Sequence, residues 1–206
     1  MDFIIYTASD NFDGEIDVLT QLLEYPNTYL YIRKPELDDF SLVDFVEQIP
    51  EKYWQQCVTT SLIITKEFDL AGYHFTRDIL SKNTNYNQKV IDWLHQNHKI
   101  SSASAHDIAT LQQYKSQFKH LILSPFFPSI SKVNHQNNWN MTQIKDELLT
   151  ERTSKIFAVG GIQADNINQI KSYNINGIGL LGTLWQDNNK AIEHFQKIFS
   201  TFNDSF

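Results

Sequence analysis

Two segments in the C-terminal third set glycines at the end of an apolar run: Ala158-Val159-Gly160-Gly161-Ile162 and Leu180-Leu181-Gly182-Thr183. Glycine lets a backbone approach a ligand closely, and free N–H groups beside the Thr183 hydroxyl suit an anion such as a phosphate. Either segment alone also reads as a simple tight turn. Pro125-Phe126-Phe127-Pro128-Ser129-Ile130-Ser131-Lys132 puts two hydroxyls and an ammonium behind two stiffening prolines. That set fits a second anionic group, such as a diphosphate. A polar surface loop has the same composition. In Tyr31-Ile32-Arg33-Lys34-Pro35, an extended chain puts Tyr31 and Arg33 on one side. A guanidinium there can grip an oxyanion bidentately or form an ordinary exposed ion pair.

The other reactive side chains are less organised. The seven histidines are scattered without zinc-ligand spacing. His74 falls mid-strand and reads first as a hydrogen-bonded interior residue, and His106 as a cap or surface residue where a helix begins. Cys57, the single cysteine, reads as a small buried hydrophobe. It excludes an intrachain disulfide and fits a reducing cytoplasm. The stretch Asn134–Asn140, with Trp139, is either a flap over a site or a polar loop.

These segments must be held by the elements around them. Short apolar runs alternate with helical-period segments along the whole chain, in about eight βα units with a spacing of roughly 25 residues. Strands are expected at Phe3–Thr7, Thr28–Arg33, Cys57–Ser61, Gly72–Thr76, Lys99–Ser104, His120–Ser124, Ile156–Val159 and Ile178–Leu181. The expected helices between them include Leu62–Ala71, Gln88–Gln96, His106–Ser116 and Ala164–Ser172. Eight right-handed crossovers close as a (β/α)8 TIM barrel, here a minimal single domain over 1–206. The rival, an open doubly wound sheet, usually has a glycine-rich first turn, and Ala8-Ser9-Asp10-Asn11-Phe12-Asp13-Gly14 is not one. In a barrel the reactive face is built from the loops after the strands, with phosphate most often held after strands seven and eight. Both glycine segments stand there. Gln163-Ala164-Asp165-Asn166 is expected to open a helix whose first N–H groups face the anion.

The formal charge of −7 argues against non-specific nucleic-acid binding, which needs a basic footprint. No apolar run is long enough for a membrane span, and the N-terminus lacks the pattern of a signal peptide. A homo-oligomer is compatible with the sequence, which does not specify one.

The chain resembles thiamine phosphate synthase and its thiazole tautomerase relatives over nearly its whole length. The landmarks are Tyr31 to Pro35, Gly72-Tyr73-His74-Phe75, Leu123 to Lys132, Ala158 to Ile162 and Gly177 to Trp185. The strand-six loop is the most specific of them, since the family pattern is close to Gly-Pro-Ile-Phe-Pro-Thr-x-Thr-Lys. The resemblance implies a transferase of thiamine biosynthesis acting on small phosphorylated heterocycles. It would join hydroxymethylpyrimidine diphosphate to thiazole phosphate as diphosphate leaves. Carried over, Arg33, Ser129, Ser131 and Lys132 hold the diphosphate, with Arg33 and Lys132 catalytic. Gly160, Gly161, Gly182 and Thr183 hold the thiazole phosphate through backbone N–H groups.

The chain departs from the family pattern in three places. Tyr31 stands where the family has Gln, and Pro35 where it has a basic residue, with Lys34 displaced by one. Thr60-Ser61 replaces the Asn-Asp after strand three. Thr76-Arg77-Asp78 replaces Gly-Gln followed by acids, so of the magnesium carboxylates only Asp78 remains. Arg77 or Lys66 is a candidate to replace part of that positive charge. Pro125 stands where the tautomerase relatives carry His. Magnesium dependence weaker than the family's is therefore expected. The alternative function is a non-catalytic or regulatory barrel that binds thiazole phosphate or thiamine phosphate.

Overall fold

The computed structural model describes residues 1–128 and 139–203. Period-two strand geometry sorts each strand into an inward and an outward face. In β1 (Asp2–Tyr6), Phe3 and Ile5 belong to the outer core, and Ile4 and Tyr6 to the barrel interior. Phe3 meets the rings of Phe195, Phe199 and Phe202 on the last helix, α9 (Ala191–Asn203), at 5.3 to 6.3 Å.

The strands that follow are β2 (Thr28–Ile32), β3 (Cys57–Thr59), β4 (Gly72–Phe75), β5 (Ile100–Ala105), β6 (His120–Leu123), β7 (Lys155–Val159) and β8 (Gly177–Leu180). All pair in parallel in sequence order, and β8 pairs with β1 through Ile4↔Gly179, so the barrel is closed. Around it lie α1 (Glu15–Leu23), α2 (Asp39–Glu47), α3 (Leu62–Glu67), α4 (Arg77–Lys82), α5 (Thr84–Gln96), α6 (Ile108–Tyr114), α7 (Met141–Leu148) and α8 (Ile167–Ile170). The fold class expected from the sequence is the one observed.

The interior is filled by aromatic rings set against small residues. A Cβ on Gly177 would lie 2.4 Å from the Asp2 carbonyl oxygen and 2.5 Å from the Phe157 ring. One on Gly179 would lie 2.5 Å from a Val159 methyl. Gly177→Ala is therefore expected to destabilise the protein by about 1–3 kcal/mol, as overpacking of a filled core does. Urea denaturation of the variant checks this, and unchanged stability would mean the interior has slack.

Short βα connections place the strand ends. Thr76 caps α4 directly after β4, its hydroxyl accepting from Ile79 N–H at 3.3 Å. Asp107 caps α6 two residues after β5, accepting from Thr110 N–H at 2.7 Å. With the chain turned outward at these caps, the residues just before them remain at the mouth.

Several boundaries differ from expectation. The third helix ends at Glu67 rather than Ala71, because the chain turns through Asp69 at a φ of 49° before β4. The helix before β5 begins at Thr84, where the Asn83 side chain accepts from Tyr86 N–H at 3.0 Å. The short α4 was not expected at all. The helix expected from Ala164 spans only Ile167–Ile170.

Candidate functional site

At the C-terminal ends of β1, β2 and β8 lies a cleft of about 390 Å³ whose lining includes Ser9, Asp10, Arg33, Gly182, Trp185 and Gln186. Its volume lies within the range of about 300–1,000 Å³ usual for small-ligand pockets. Arg33 is exposed there. Its backbone is held on both sides by one hydroxyl: Arg33 N–H donates to Thr7 Oγ1 at 2.9 Å, and Thr7 Oγ1 donates to the Arg33 carbonyl at 3.1 Å. Trp185 Nε1 donates to the Tyr6 carbonyl at 2.8 Å, which ties the strand-eight loop to the end of β1.

Lys34, next in sequence, faces the opposite way. Its ammonium lies 2.6 Å from Glu15 on α1, with the two side chains only 1% and 3% exposed. Glu15 also accepts from Ala8 N–H at 2.9 Å. Burial raises the Glu15 carboxyl from its ordinary range, against the pull of Lys34 and the Ala8 N–H. This buried pair anchors the strand-one loop, whose Ala8, Ser9 and Asp10 form one wall of the cleft. Lys66 is also committed elsewhere, its ammonium 4.6 Å from the Trp93 ring centroid on the barrel exterior. As a substitute for positive charge at the mouth it is therefore ruled out by position. Arg77, at the start of α4, lies near enough to Asp107 to help lower that carboxyl, after the Thr110 hydrogen bonds.

The glycine loops are present but built differently from expectation. Gly160 and Gly161 have φ of 96° and 66°, which favours glycine. The space a side chain would take at Gly161 is filled by the strand-six loop, with the Pro128 carbonyl oxygen 2.5 Å and Phe127 Cβ 2.7 Å from a built Cβ. These glycines thus admit the protein's own neighbouring loop. Two hydrogen bonds seal the contact, Phe126 N–H to the Val159 carbonyl at 2.8 Å and Phe127 N–H to the Gly160 carbonyl at 3.1 Å. The expected helix start at Gln163–Asn166 is corrected. Gln163 N–H donates to the Asn166 side chain at 2.9 Å, and Asn166 Nδ2 donates to the Gly161 carbonyl at 2.7 Å. That side chain takes the Gln163 N–H that a helix start would have turned toward an anion. The Thr183 hydroxyl donates to the Ile162 carbonyl, joining the strand-seven and strand-eight loops, and Thr183 lines a separate depression with Asp165 and His194. What Gly160, Gly161, Gly182 and Thr183 offer a ligand is therefore backbone. Ser129, Ser131 and Lys132 lie outside the described residues, as does most of the stretch read as a flap. Of that stretch, Trp139 is buried and Asn140 caps α7.

Two histidines take places the sequence did not reveal. His106 turns toward β6, its Nδ1 bonded to the Ser124 carbonyl, while Asp107 does the capping. His74 is the one β4 residue that is not fully buried, and burial, with Arg33 and His106 nearby, pushes its imidazole down to about 4. His74 is therefore neutral at pH 7. Cys57 is buried and its thiol is pushed up to about 12, as expected of a packing residue.

Fold and mouth together define the class: a closed eight-stranded βα barrel carrying Arg33, His74, His106 and two interlocked glycine loops at its strand ends. Residues 3–184 match the family model described as Thiamine monophosphate synthase, and the chain belongs to that family. It is similar to thiamine phosphate pyrophosphorylase from Bacteroides thetaiotaomicron, with 25% identity and a TM-score of 0.78 over 100% of both chains. The Pyrococcus furiosus thiamine phosphate pyrophosphorylase shares the fold at 11% identity, with a TM-score of 0.76 over 98% of this chain and 96% of that one. The 3-hexulose-6-phosphate synthase of Salmonella typhimurium does so at 10% identity and a TM-score of 0.69, over 100% of both chains. No curated protein matches the sequence.

The family implies magnesium, and the donor set does not fit it well. Asp78 is exposed on α4 and paired with Lys82, four residues on. The end of β3 and the two residues after it supply Thr59, Thr60 and Ser61, and the Thr59 and Ser61 oxygens accept local backbone N–H bonds. Among the described residues no three His, Cys, Asp or Glu side chains converge on a point that could hold an ion. Among them, no helix is long and apolar enough to cross a membrane.

Proposed function

We propose that the protein is a thiamine phosphate synthase-type transferase that joins hydroxymethylpyrimidine diphosphate to thiazole phosphate with release of diphosphate, in the cytoplasm. The observation that carries this reading is the cleft that brings Arg33 and the Gly182 loop to one mouth, in a chain of this family. In such a reaction the departing diphosphate needs its developing charge met, and the two rings need to be held in line. Both are tasks of electrostatics and positioning. Arg33 and Lys132 are the cations of this reading, with Ser129 and Ser131 as further diphosphate donors. Gly160, Gly161, Gly182 and Thr183 offer backbone N–H groups to the thiazole phosphate.

The test mixes purified protein, both substrates and magnesium, and measures thiamine phosphate. Product above background is expected, and folded protein that yields none would overturn the reading. Asp78→Asn is expected to change the rate by less than about threefold, because an exposed carboxylate already paired with lysine contributes little. A variant that abolishes a steep magnesium response would show instead that Asp78 turns inward to a metal.

Two observations favour a second reading, a non-catalytic barrel that binds thiazole phosphate or thiamine phosphate. The single residual carboxylate is turned to solvent, and the Tyr31 hydroxyl is used inside the barrel rather than at the mouth. Calorimetric binding of thiazole phosphate without turnover would select this reading.

A further inference from the structure

A hydrogen-bonded chain runs through the barrel interior beneath the mouth. The Tyr31 hydroxyl lies 3.1 Å from Ser102 Oγ and 3.1 Å from His120 Nδ1. Ser102 Oγ in turn lies 3.0 Å from His74 Nδ1. Tyr31, Ser102 and His120 are 2%, 0% and 1% exposed, so the lower chain is sealed from water. Only His74, at the upper end, meets solvent, and with Nδ1 taken, the Nε2 side of its ring is what remains for the mouth. The Tyr31 ring stands edge-on to His74 at 5.8 Å and lies 5.5 Å from Tyr6. The floor of the mouth is therefore aromatic, with one polar group set in it and Arg33 close enough to act on that group's charge.

We propose that His74 contacts the heterocycle of a ligand, and that Tyr31, Ser102 and His120 are positioning residues that set which ring nitrogen of His74 carries the proton. The inference rests on reading the mouth as a site for a phosphorylated heterocycle. A neutral imidazole has one N–H, and each hydroxyl has one proton. Three links between four such groups can all be filled, with no hydroxyl proton left over, only if every proton points the same way along the chain. A mixed order either sets two lone pairs face to face or strands an O–H without an acceptor in a dry interior, and both are costly. With Tyr31 donating to Ser102, Ser102 donates to His74 Nδ1, and His120 donates Nδ1–H to Tyr31. His74 then carries its proton on Nε2 and offers the mouth a donor. A neutral donor on an aromatic floor suits an acceptor nitrogen of a flat ring, while Arg33 at the rim suits the phosphates. Tyr31, whose place the family fills with Gln, here acts from behind His74.

The test has two independent readouts. In protein labelled with ¹⁵N at histidine, imidazole shifts are expected to show Nε2–H for His74 and Nδ1–H for His120. Tyr31→Phe should convert His120 to the Nε2–H form and leave His74 mixed. Unchanged shifts in Tyr31→Phe overturn the relay, whatever the ligands do. The second readout is calorimetry with hydroxymethylpyrimidine diphosphate and with inorganic diphosphate. His74→Phe should weaken the first about tenfold and the second less than twofold. His74→Gln, whose amide can donate from nearly the same place, should recover part of the loss. Tyr31→Phe should weaken only the first, by about threefold. Equal losses for both probes in a protein that makes thiamine phosphate would sink the heterocycle contact and leave the transferase reading standing. Wild-type protein that binds neither probe would sink the transferase reading and the contact together, with the shifts deciding the relay separately.

Discussion

Arg33→Ala is expected to lower diphosphate affinity, and the rate of any diphosphate departure, by about 100-fold. Two charge-assisted hydrogen bonds from a guanidinium are each worth about 1.5–3 kcal/mol, and each 1.4 kcal/mol is about tenfold. The geometry lets that energy be realised. Thr7 clamps the Arg33 backbone at both its N–H and its carbonyl, so the side chain is presented from a fixed base. The neighbouring cations are not free to replace it, since Lys34 is buried on Glu15 and Lys66 lies over Trp93. Arg33→Lys should recover the charge but not the bidentate fork, leaving a deficit of about tenfold. The measurement is calorimetric affinity for diphosphate, with and without magnesium, alongside Asp78→Asn. A near-neutral Arg33→Ala would place the anion elsewhere in the mouth.

The second large effect is on acid stability. Burial holds His74 down at about 4 and His120 at about 3, both well below the 6.5 of a free histidine. As pH falls from 6.5, the unfolded chain takes up protons that the folded chain refuses. The folded state therefore loses stability as pH falls, and the stabilisation is fully present above the unfolded value. Each such histidine contributes a slope of about 1.4 kcal/mol per pH unit, continuing to its folded-state value. His74 has part of its ring in solvent and contributes less than this full amount. His120, 1% exposed, should approach it. Unfolding free energy from urea titrations between pH 6 and 4.5 should thus fall by about 2 kcal/mol per unit. His120→Asn should remove more than half of that slope in addition to its own cost in stability. The window stays above pH 4.5 because Asp107 and Glu147, lowered by their hydrogen bonds, lose their contribution only at more acid pH. Glu15, raised by burial, works the other way and offsets part of the histidine slope. An identical slope in the variant would show that His120 is protonated in the folded protein.

These effects differ in how far the sequence announces them. Strand alternation in Tyr31-Ile32-Arg33 put Tyr31 and Arg33 on one side, but that segment alone left an anion grip and an ordinary surface ion pair both open for Arg33. The histidine prediction was not legible even to that extent. His74 reads as an interior residue and His106 as a cap, and nothing local indicates that Ser102, 28 residues from His74, stands beside it. The partner of Lys34 was likewise hidden, since Glu15 lies 19 residues away on a helix that packs across β2. The glycine loops show the same divide within one motif. Gly160 and Gly161 were visible as positions where a backbone is approached closely, but that Pro125 crowds the first, and Phe127 and Pro128 the second, was not.

Strand order, parallel pairing and barrel closure could be read from the alternation of elements along the chain. A repeated period-two run followed by a period-3.6 run leaves right-handed βα crossovers as the economical way to bury both faces of every strand. The family was legible for a related reason, since its motifs stand in contiguous residues at the strand ends. Which side chains meet inside the barrel, the commitment of Lys34 and Thr183 to protein partners, and the turning of Asp78 to solvent emerge with three-dimensional packing. Those outcomes depend on register between strands that are neighbours in space but about 25 residues apart in the chain. A one-residue slip would turn Ser102 or His120 to the outer face.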